Sequence, residues 1–125
     1  MRVFKSKPFT RDAKKFGLKD ADLLEAVAAA EQGLVDADLG GGVVKQRIAR
    51  EGQGKSGGFR TIVLLKSGEL AFFVFVFAKN ERANIKKAEL VAFKELASVM
   101  FALDELALTK AVATGSLIEL NEEMQ

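Results

Sequence analysis

The sequence contains no cysteine, histidine, tyrosine or tryptophan, and it has only one proline. Without cysteine the chain forms no disulfide and offers no thiolate to a metal, which fits a reducing compartment. Without histidine it lacks the side chain most often used as a general base and as a transition-metal ligand. Any catalysis must therefore use lysine, arginine, carboxylate, hydroxyl or amide groups.

The sequence also lacks a hydrophobic run long enough to form a membrane-spanning helix. Its most apolar stretch is LAFFVFVFA, Leu70–Ala78, which is about half the length that a helix needs to cross a bilayer. The first residues, MRVFKSKPF, contain no long apolar segment of the kind found in signal peptides. We therefore expect a cytoplasmic protein that does not bind a membrane.

The amino-acid composition indicates a globular protein. Hydrophobic residues make up 49% and charged residues 29% of the 125 positions, as in ordinary folded domains. Phenylalanine is the only aromatic residue, and its ten side chains are expected to supply much of the core volume. Because no linker, repeat or low-complexity segment divides the chain, we expect one domain over residues 1–125.

Positive charge is concentrated in the middle of the chain. The net charge is +2, but from Lys45 to Lys87 there are ten lysines and arginines against three acids, a balance of +7 that leaves −5 elsewhere. A basic region between acidic flanks indicates one surface that binds a polyanion. The alternative is that these charges are scattered over all faces of the protein.

Residue patterns predict an α+β fold with the element order β-α-α-β-β-β-α-α, in which helices pack on an antiparallel sheet. Arg2–Lys7 is expected to be an edge strand. The helix that follows is expected to have Pro8 at its first position, and the second helix has Asp20 as its expected N-cap. The segment DADLGGG, residues 36–42, is expected to be a loop because it combines several turn formers.

Three strands are predicted in the middle of the chain, at 43–49, 59–66 and 70–78. The turn former KSGE joins the last two into a hairpin, and the unbroken Phe/Val run of the third indicates a central strand covered on both faces. From Lys87 onward, apolar residues at helical spacing predict a long amphipathic helix. Asp104 is a candidate cap for a final helix, and SLIEL is expected to add a last short strand.

The segment GQGKSGGFR, Gly52–Arg60, is similar to part of a phosphate-binding loop. A Walker loop needs a further glycine five positions before its Gly-Lys-Ser, and that position is Ala49. The segment also leads into a strand, whereas a phosphate loop leads into a helix N-terminus. Two interpretations remain: a plain connection between strands, or a loop that presents Arg50, Lys55 and Arg60 to a polyanion.

Polar residues follow the most hydrophobic strand abruptly, in the segment KNER. Asn80 and Glu81 are common where a helix starts, so they need no function, and Glu81 is also a candidate ion-pair partner for Arg60. If the sheet brings Lys79 and Arg82 near Arg60, the converging cations suit nucleic-acid phosphates. DADLGGG lacks the spaced ligands of a calcium loop, so no metal or cofactor site is predicted.

Three segments, taken in order, resemble a known family: VFKSKPF, GLVDADLGGGVVKQRIAREGQGKSGGFRTIV and FVFAKNERANI. They are similar to the RelE family of bacterial toxins from toxin–antitoxin operons, and most similar to a subgroup that has the GLVDADLGGG segment and a long glycine-rich loop. The resemblance covers residues 3–120. It implies a RelE/ParE-like fold, in which N-terminal and C-terminal helices pack on an antiparallel sheet of about four strands.

The resemblance implies a toxin that cleaves mRNA on translating ribosomes without a metal. The 2′-hydroxyl attacks the adjacent phosphorus, and the products are a cyclic phosphate and a 5′-hydroxyl. It also implies a neutralising antitoxin, expected to be a helix-turn-helix protein through which any contact with operator DNA is made. The apolar stripe of the long helix, Leu90–Leu103, is expected in the core, with antitoxin docking as the alternative.

The site residues implied by the resemblance are mostly basic. Arg60 matches the arginine of the family's Gly-aromatic-Arg motif, which would stabilise the phosphate. Lys79 and Arg82 match the lysine and second arginine of a Lys-Arg-Glu-Arg segment, and Lys86 stands near a late tyrosine of the best-known members. These four are the predicted catalytic residues. The predicted RNA contacts are Lys45, Arg47, Arg50, Lys55 and Asn80.

The chain also departs from the family pattern. Asn80 stands where the best-known members have a further arginine, and without tyrosine or histidine any proton transfer falls to lysine. The family includes gyrase-inhibiting relatives, so a shared fold does not fix the target. The alternatives are a non-catalytic toxin or co-repressor that inhibits gyrase or translation, and an inactive relative.

Overall fold

The computed structural model describes residues 1–49 and 58–120, in which six strands and four helices form an α+β fold. This confirms the predicted fold class. The elements, in chain order, are β1 Arg2–Ser6, α1 Lys7–Lys15, α2 Asp20–Glu31, β2 Ala37–Asp38, β3 Val43–Ile48, β4 Phe59–Lys66, β5 Leu70–Ala78, α3 Lys87–Phe101, α4 Glu105–Ala113 and β6 Leu117–Leu120.

The strands form a mixed sheet in the order β2-β3-β4-β5-β1-β6. The sheet is thus larger than the expected four strands, and its β1–β5 pair is parallel while the other pairs are antiparallel. The prediction that β1 is an edge strand is wrong, because β1 lies between β5 and β6. Successive side chains of a strand point to opposite faces, and Val3 and Phe4 are both buried, so β1 is covered on both faces.

Helices cover both faces of the sheet. On one face, which we call the N-helix face, Phe9 of α1 and Leu23 of α2 pack in one cluster with Phe73. On the other, the C-helix face, Ala97 of α3 and Leu108 of α4 pack in a second cluster with side chains of β1, β3, β4 and β5. Because β5 contributes to both clusters, the prediction of a central strand is confirmed.

A β-bulge interrupts the pairing of β4 with β5. Ile62 is paired with Phe75 and Val63 with Phe73, so the register skips Val74. An extra residue reverses the alternation of side chains beyond it. The bulge therefore leaves Phe75 on the C-helix face and places Phe77 opposite Arg60.

Helix ends follow ordinary capping chemistry. The Asp104 carboxylate accepts a hydrogen bond from the Ala107 N–H at 2.8 Å, which confirms the predicted cap of α4. For α2 the prediction is one residue out, because Lys19 is the N-cap and its backbone N–H donates to Asp22 at 3.0 Å. Asp20 begins the helix and its carboxylate instead accepts from the Lys5 ammonium at 2.8 Å.

The expected core stripe of α3 is largely confirmed. Ala97 is buried, and Leu90, Phe93, Met100 and Leu103 pack half-buried against the core. The stripe residue Leu96 differs, since it is 37% exposed. None of the helices in the described part of the chain is long and apolar enough to span a membrane.

Candidate nucleic-acid interface

Basic residues from three chain segments meet at one end of the sheet, where β3 ends, β4 begins and β5 ends. Along β3, Val43 belongs to the C-helix face, whereas Gln46 donates to the Ala26 carbonyl of α2 at 2.9 Å. Side-chain alternation therefore places Lys45 and Arg47 on the C-helix face. Arg60 of β4 shares this face, because it is two residues before Ile62.

Arg47 and Arg60 are direct cross-strand partners. Arg47 is exposed and forms no ion pair within residues 1–49 and 58–120, whereas Arg60 is only 5% exposed. Like charges directly opposite each other in a sheet destabilise it. The repulsion between Arg47 and Arg60 is offset where a negative charge lies beside them, either a carboxylate of the chain itself or a bound anion.

The chain itself supplies one carboxylate to Arg60, that of Asp36. The Asp36 Oδ2 atom lies 3.3 Å from Arg60 Nε. The partner considered from the sequence, Glu81, is exposed, so that pairing prediction is wrong. Sequence reasoning missed Asp36 because DADLGGG was predicted to be a loop, but its residues 37 and 38 form β2 and pair with β3.

Lys45 shares the same carboxylate. Its ammonium lies 3.7 Å from Asp36 Oδ2 and donates a hydrogen bond to Asn84 Oδ1 at 3.3 Å. The Lys45 side chain is 13% exposed, compared with 27% for that of Asp36. Asp36 and Asn84 thus hold Lys45 beside Arg60, and neither residue was expected at this site from the sequence.

Arg82 also lies over the C-helix face. Its guanidinium stacks over the rings of Phe75 and Phe77, 5.5 Å from each centroid. Its Nη1 donates to Glu89 Oε2 at 3.3 Å, its Nη2 contacts Glu89 Oε1, and its Nε donates to the Asn84 carbonyl at 3.1 Å. Arg82 therefore ties the end of β5 to the start of α3, with all three nitrogens occupied.

The other predicted site residues that the structure describes are Lys79, Asn80 and Lys86, and all three are exposed. Lys79 and Asn80 are exposed in the turn after β5, where the Lys79 N–H donates to the Gly58 carbonyl at 3.1 Å. Lys86 is exposed at the N-cap of α3. Arg50 and Lys55 lie outside the described residues. The structure thus brings Lys45, Arg47, Arg60 and Arg82 to one face and leaves Lys79, Asn80 and Lys86 exposed.

A cleft of about 540 Å³ opens between α2 and β3 next to the cluster. Asp36 and Arg47 line it together with the carboxylates of Asp22 and Glu25. Both Asp36 and Arg47 are therefore reached by solvent from this side. Among residues 1–49 and 58–120, no group of three or more acidic side chains is placed to hold a metal ion.

The Arg82–Glu89 pair makes the stability of the protein depend on pH. The hydrogen bond from Arg82, followed by that from the Lys86 N–H at 2.6 Å, lowers the pKa of Glu89 below its ordinary value. A carboxylate with a lowered pKa stabilises the fold above its unfolded-state pKa of about 4.3, and this stabilisation is lost as the pH falls through the folded-state value.

We therefore expect Glu89→Gln to be destabilised at pH 7, and the difference from the unsubstituted protein to shrink as the pH falls through the lowered pKa of Glu89 and its carboxylate becomes protonated. Urea unfolding from pH 7 to pH 3 measures this difference. Glu81→Gln is the matched control, since Glu81 is exposed and forms no ion pair in the described part of the chain. A Glu89→Gln difference that stays constant with pH would contradict the prediction.

The structure is that of an α+β protein with a cluster of basic residues at one end of its sheet. The family model described as "RelE toxin of RelE / RelB toxin-antitoxin system" matches residues 1–120. The chain belongs to the RelE toxin family, as its sequence segments predicted. It is the toxin of a toxin–antitoxin system, and its family implies a cognate antitoxin as partner. No curated protein sequence matches the chain.

Proposed function

We propose that this toxin is an mRNA endoribonuclease that acts in the cytoplasm on translating ribosomes. The observation that carries the proposal is the opposed pair of arginines, Arg47 and Arg60, which share a face with Lys45 and Arg82. The only ion-paired carboxylate beside Arg47 and Arg60, among the described residues, is Asp36. An RNA phosphate would supply the negative charge that this arrangement lacks.

The proposed reaction needs no group beyond the chain and the RNA. The 2′-hydroxyl loses its proton and its oxygen forms a bond to the adjacent phosphorus, while the bond from phosphorus to the 5′-oxygen breaks and that oxygen gains a proton, which leaves a 2′,3′-cyclic phosphate and a 5′-hydroxyl. Arg60 stabilises the charge on the non-bridging oxygens. The exposed Lys79 and Lys86 are the candidates to protonate the leaving oxygen, and Arg47 and Asn80 contact the flanking RNA.

Mapping of RNA ends tests this activity. Induction of the toxin without its antitoxin should arrest growth and create new 5′ ends inside coding regions, detected by primer extension on cellular mRNA. The upstream fragments should carry 2′,3′-cyclic phosphates. Purified toxin added to ribosomes that translate a defined mRNA should reproduce the cuts. Growth arrest with intact transcripts would contradict the proposal.

A second candidate function is inhibition by binding alone. Arg60 is 5% exposed and paired with Asp36, and every nitrogen of Arg82 is occupied by Glu89 or Asn84, as in structural arginines. Such a toxin would block gyrase or translation without cutting RNA. DNA-supercoiling and translation assays with the purified toxin distinguish these targets when transcripts stay intact. An inactive relative would produce no growth effect.

We also propose that the antitoxin is a small helix-turn-helix DNA-binding protein, so that the toxin reaches operator DNA only through it. The chain's resemblance to the GLVDADLGGG subgroup of RelE toxins supports this type of partner. Two experiments test the type of antitoxin. The adjacent gene is sequenced, and its product is co-purified with the toxin. A co-purified antitoxin without a helix-turn-helix domain would contradict it.

A further inference from the structure

Asp36 has a unique position in the basic cluster. Within residues 1–49 and 58–120, its carboxylate is the only one that forms an ion pair with Arg60 or with Lys45, at 3.3 Å and 3.7 Å. A catalytic arginine contributes only if its guanidinium is held in the geometry that the transition state requires. The carboxylate that contacts two of the predicted site residues is therefore a candidate for holding them.

The backbone and a buried side chain fix Asp36 in turn. The Asp36 N–H donates to the Lys45 carbonyl at 3.0 Å and to Gln46 Oε1 at 3.3 Å. Gln46 is buried, and its amide donates to the Ala26 and Leu34 carbonyls at 2.9 Å. These hydrogen bonds connect the backbone of Asp36 to β3 directly and to α2 through Gln46. They limit how far its carboxylate can move relative to Lys45 and Arg60.

Asp36 leaves the two terminal nitrogens of Arg60 without a carboxylate partner among the described residues, although Arg60 as a whole is only 5% exposed. Its closest approach is to Nε, the inner nitrogen of the guanidinium. Among residues 1–49 and 58–120, Nη1 donates one long hydrogen bond of 3.4 Å, to the Phe59 carbonyl, and Nη2 donates none. In Arg82, by contrast, Glu89 takes both terminal nitrogens. Asp36 therefore contacts Arg60 at its inner nitrogen by an ion pair without a hydrogen bond, whereas Glu89 and Asn84 contact all three nitrogens of Arg82.

We propose that Asp36 is a positioning residue for the toxin's reaction: it aims Arg60, and with it Lys45, at the scissile phosphate. This deepens the proposed endoribonuclease function and rests on it. Asp36 acts through Arg60, so it contacts no reacting atom itself. Its negative charge also offsets the repulsion between Arg47 and Arg60 before RNA binds.

The test is a double-mutant cycle on RNA cleavage. Asp36→Asn keeps the size and the backbone hydrogen bonds of the residue but removes its charge. We expect it to lower kcat about tenfold or more, with KM changed less than about threefold, because misplaced catalytic groups act mainly on the chemical step. In an Arg60→Ala background the same substitution should have almost no further effect.

Two further variants make the result specific. Asp36→Glu keeps the charge and should recover part of the lost kcat, which a residue with a merely structural role would not do; it also provides the measurement if Asp36→Asn fails to fold. Asp12→Asn is the matched control, since Asp12 lies on α1 and its carboxylate pairs with Arg11 at 3.7 Å, away from the site. This control should leave kcat unchanged.

The outcomes separate this proposal from the function on which it rests. If the unsubstituted toxin cleaves RNA and Asp36→Asn cleaves it equally fast, the positioning role is overturned alone. The same holds if the effects of Asp36→Asn and Arg60→Ala are fully additive, since Asp36 would then act independently of Arg60. If the unsubstituted toxin does not cleave RNA on ribosomes at all, the proposed function is overturned, and the role of Asp36 with it.

Discussion

Replacing Arg60 by alanine should abolish growth arrest and lower the rate of RNA cleavage by about 10²- to 10³-fold, the loss typical of removing one preorganised group that stabilises transition-state charge. The protein should remain folded. Truncation leaves the Asp36 carboxylate, whose side chain is 27% exposed, with Lys45 as its remaining cation, so we expect a loss of about 1–3 kcal/mol. That is less than the roughly 5–15 kcal/mol by which domains are stable.

Two control variants separate loss of charge from loss of geometry. Arg11→Ala removes an arginine whose side chain is 78% exposed on α1, and it should leave both growth arrest and cleavage unchanged. Arg60→Lys keeps a positive charge but loses the planar fork that binds two phosphate oxygens, so it should recover little activity. Full growth arrest by Arg60→Ala would show that this arginine is only structural.

The local sequence predicted the central strands well because their signals are local. β4 and β5 have the predicted bounds, 59–66 and 70–78, and the turn between them lies at Ser67–Glu69. A glycine in a turn former between two β-branched and aromatic runs specifies a hairpin without reference to the rest of the chain. The start of α3 at Lys87 and its apolar spacing were predicted for the same reason.

What the sequence did not predict depends on contacts between distant segments. The parallel pairing of β1 with β5 joins residues about 70 positions apart, and nothing within RVFKS indicates that partner. The bulge at Val74 is equally hidden, since a strand that is apolar on both faces shows no alternation for an extra residue to break. Yet this bulge decides that Phe77 lies opposite Arg60.

In the candidate site, too, local sequence signals identified some residues, whereas contacts between distant segments could not be predicted. Its cations were named from the sequence because lysines and arginines crowd between residues 45 and 87, and strand alternation then places Lys45 and Arg47 on one face. The acids that pair with these cations are Asp36, which precedes β2, and Glu89 of α3, and only the folded chain brings them into contact. The ion pair of Arg82 with Glu89 could therefore be seen only in the structure.

Replacing Gly42 by alanine should have the largest effect on stability. Gly42 precedes β3, which carries Lys45 and Arg47, and its φ of +82° is one that other residues rarely adopt. An added Cβ would lie 2.5 Å from Cε2 of Phe101 at the end of α3, and 3.2 Å from the Leu65 carbonyl oxygen. The Leu65 N–H also donates to the Gly42 carbonyl at 2.7 Å, which limits backbone movement.

Backbone strain and the displaced Phe101 ring together should cost about 2–4 kcal/mol, which lowers the melting temperature by roughly 10–20 °C in a domain of this size. Gly33→Ala is the matched control: its φ is +81°, but an added Cβ would meet nothing within 4 Å, so only the backbone term of about 1 kcal/mol applies. Thermal unfolding of both variants measures the difference. If the two substitutions cost the same, contact with Phe101 contributes nothing, and Gly42 is required only for its backbone conformation.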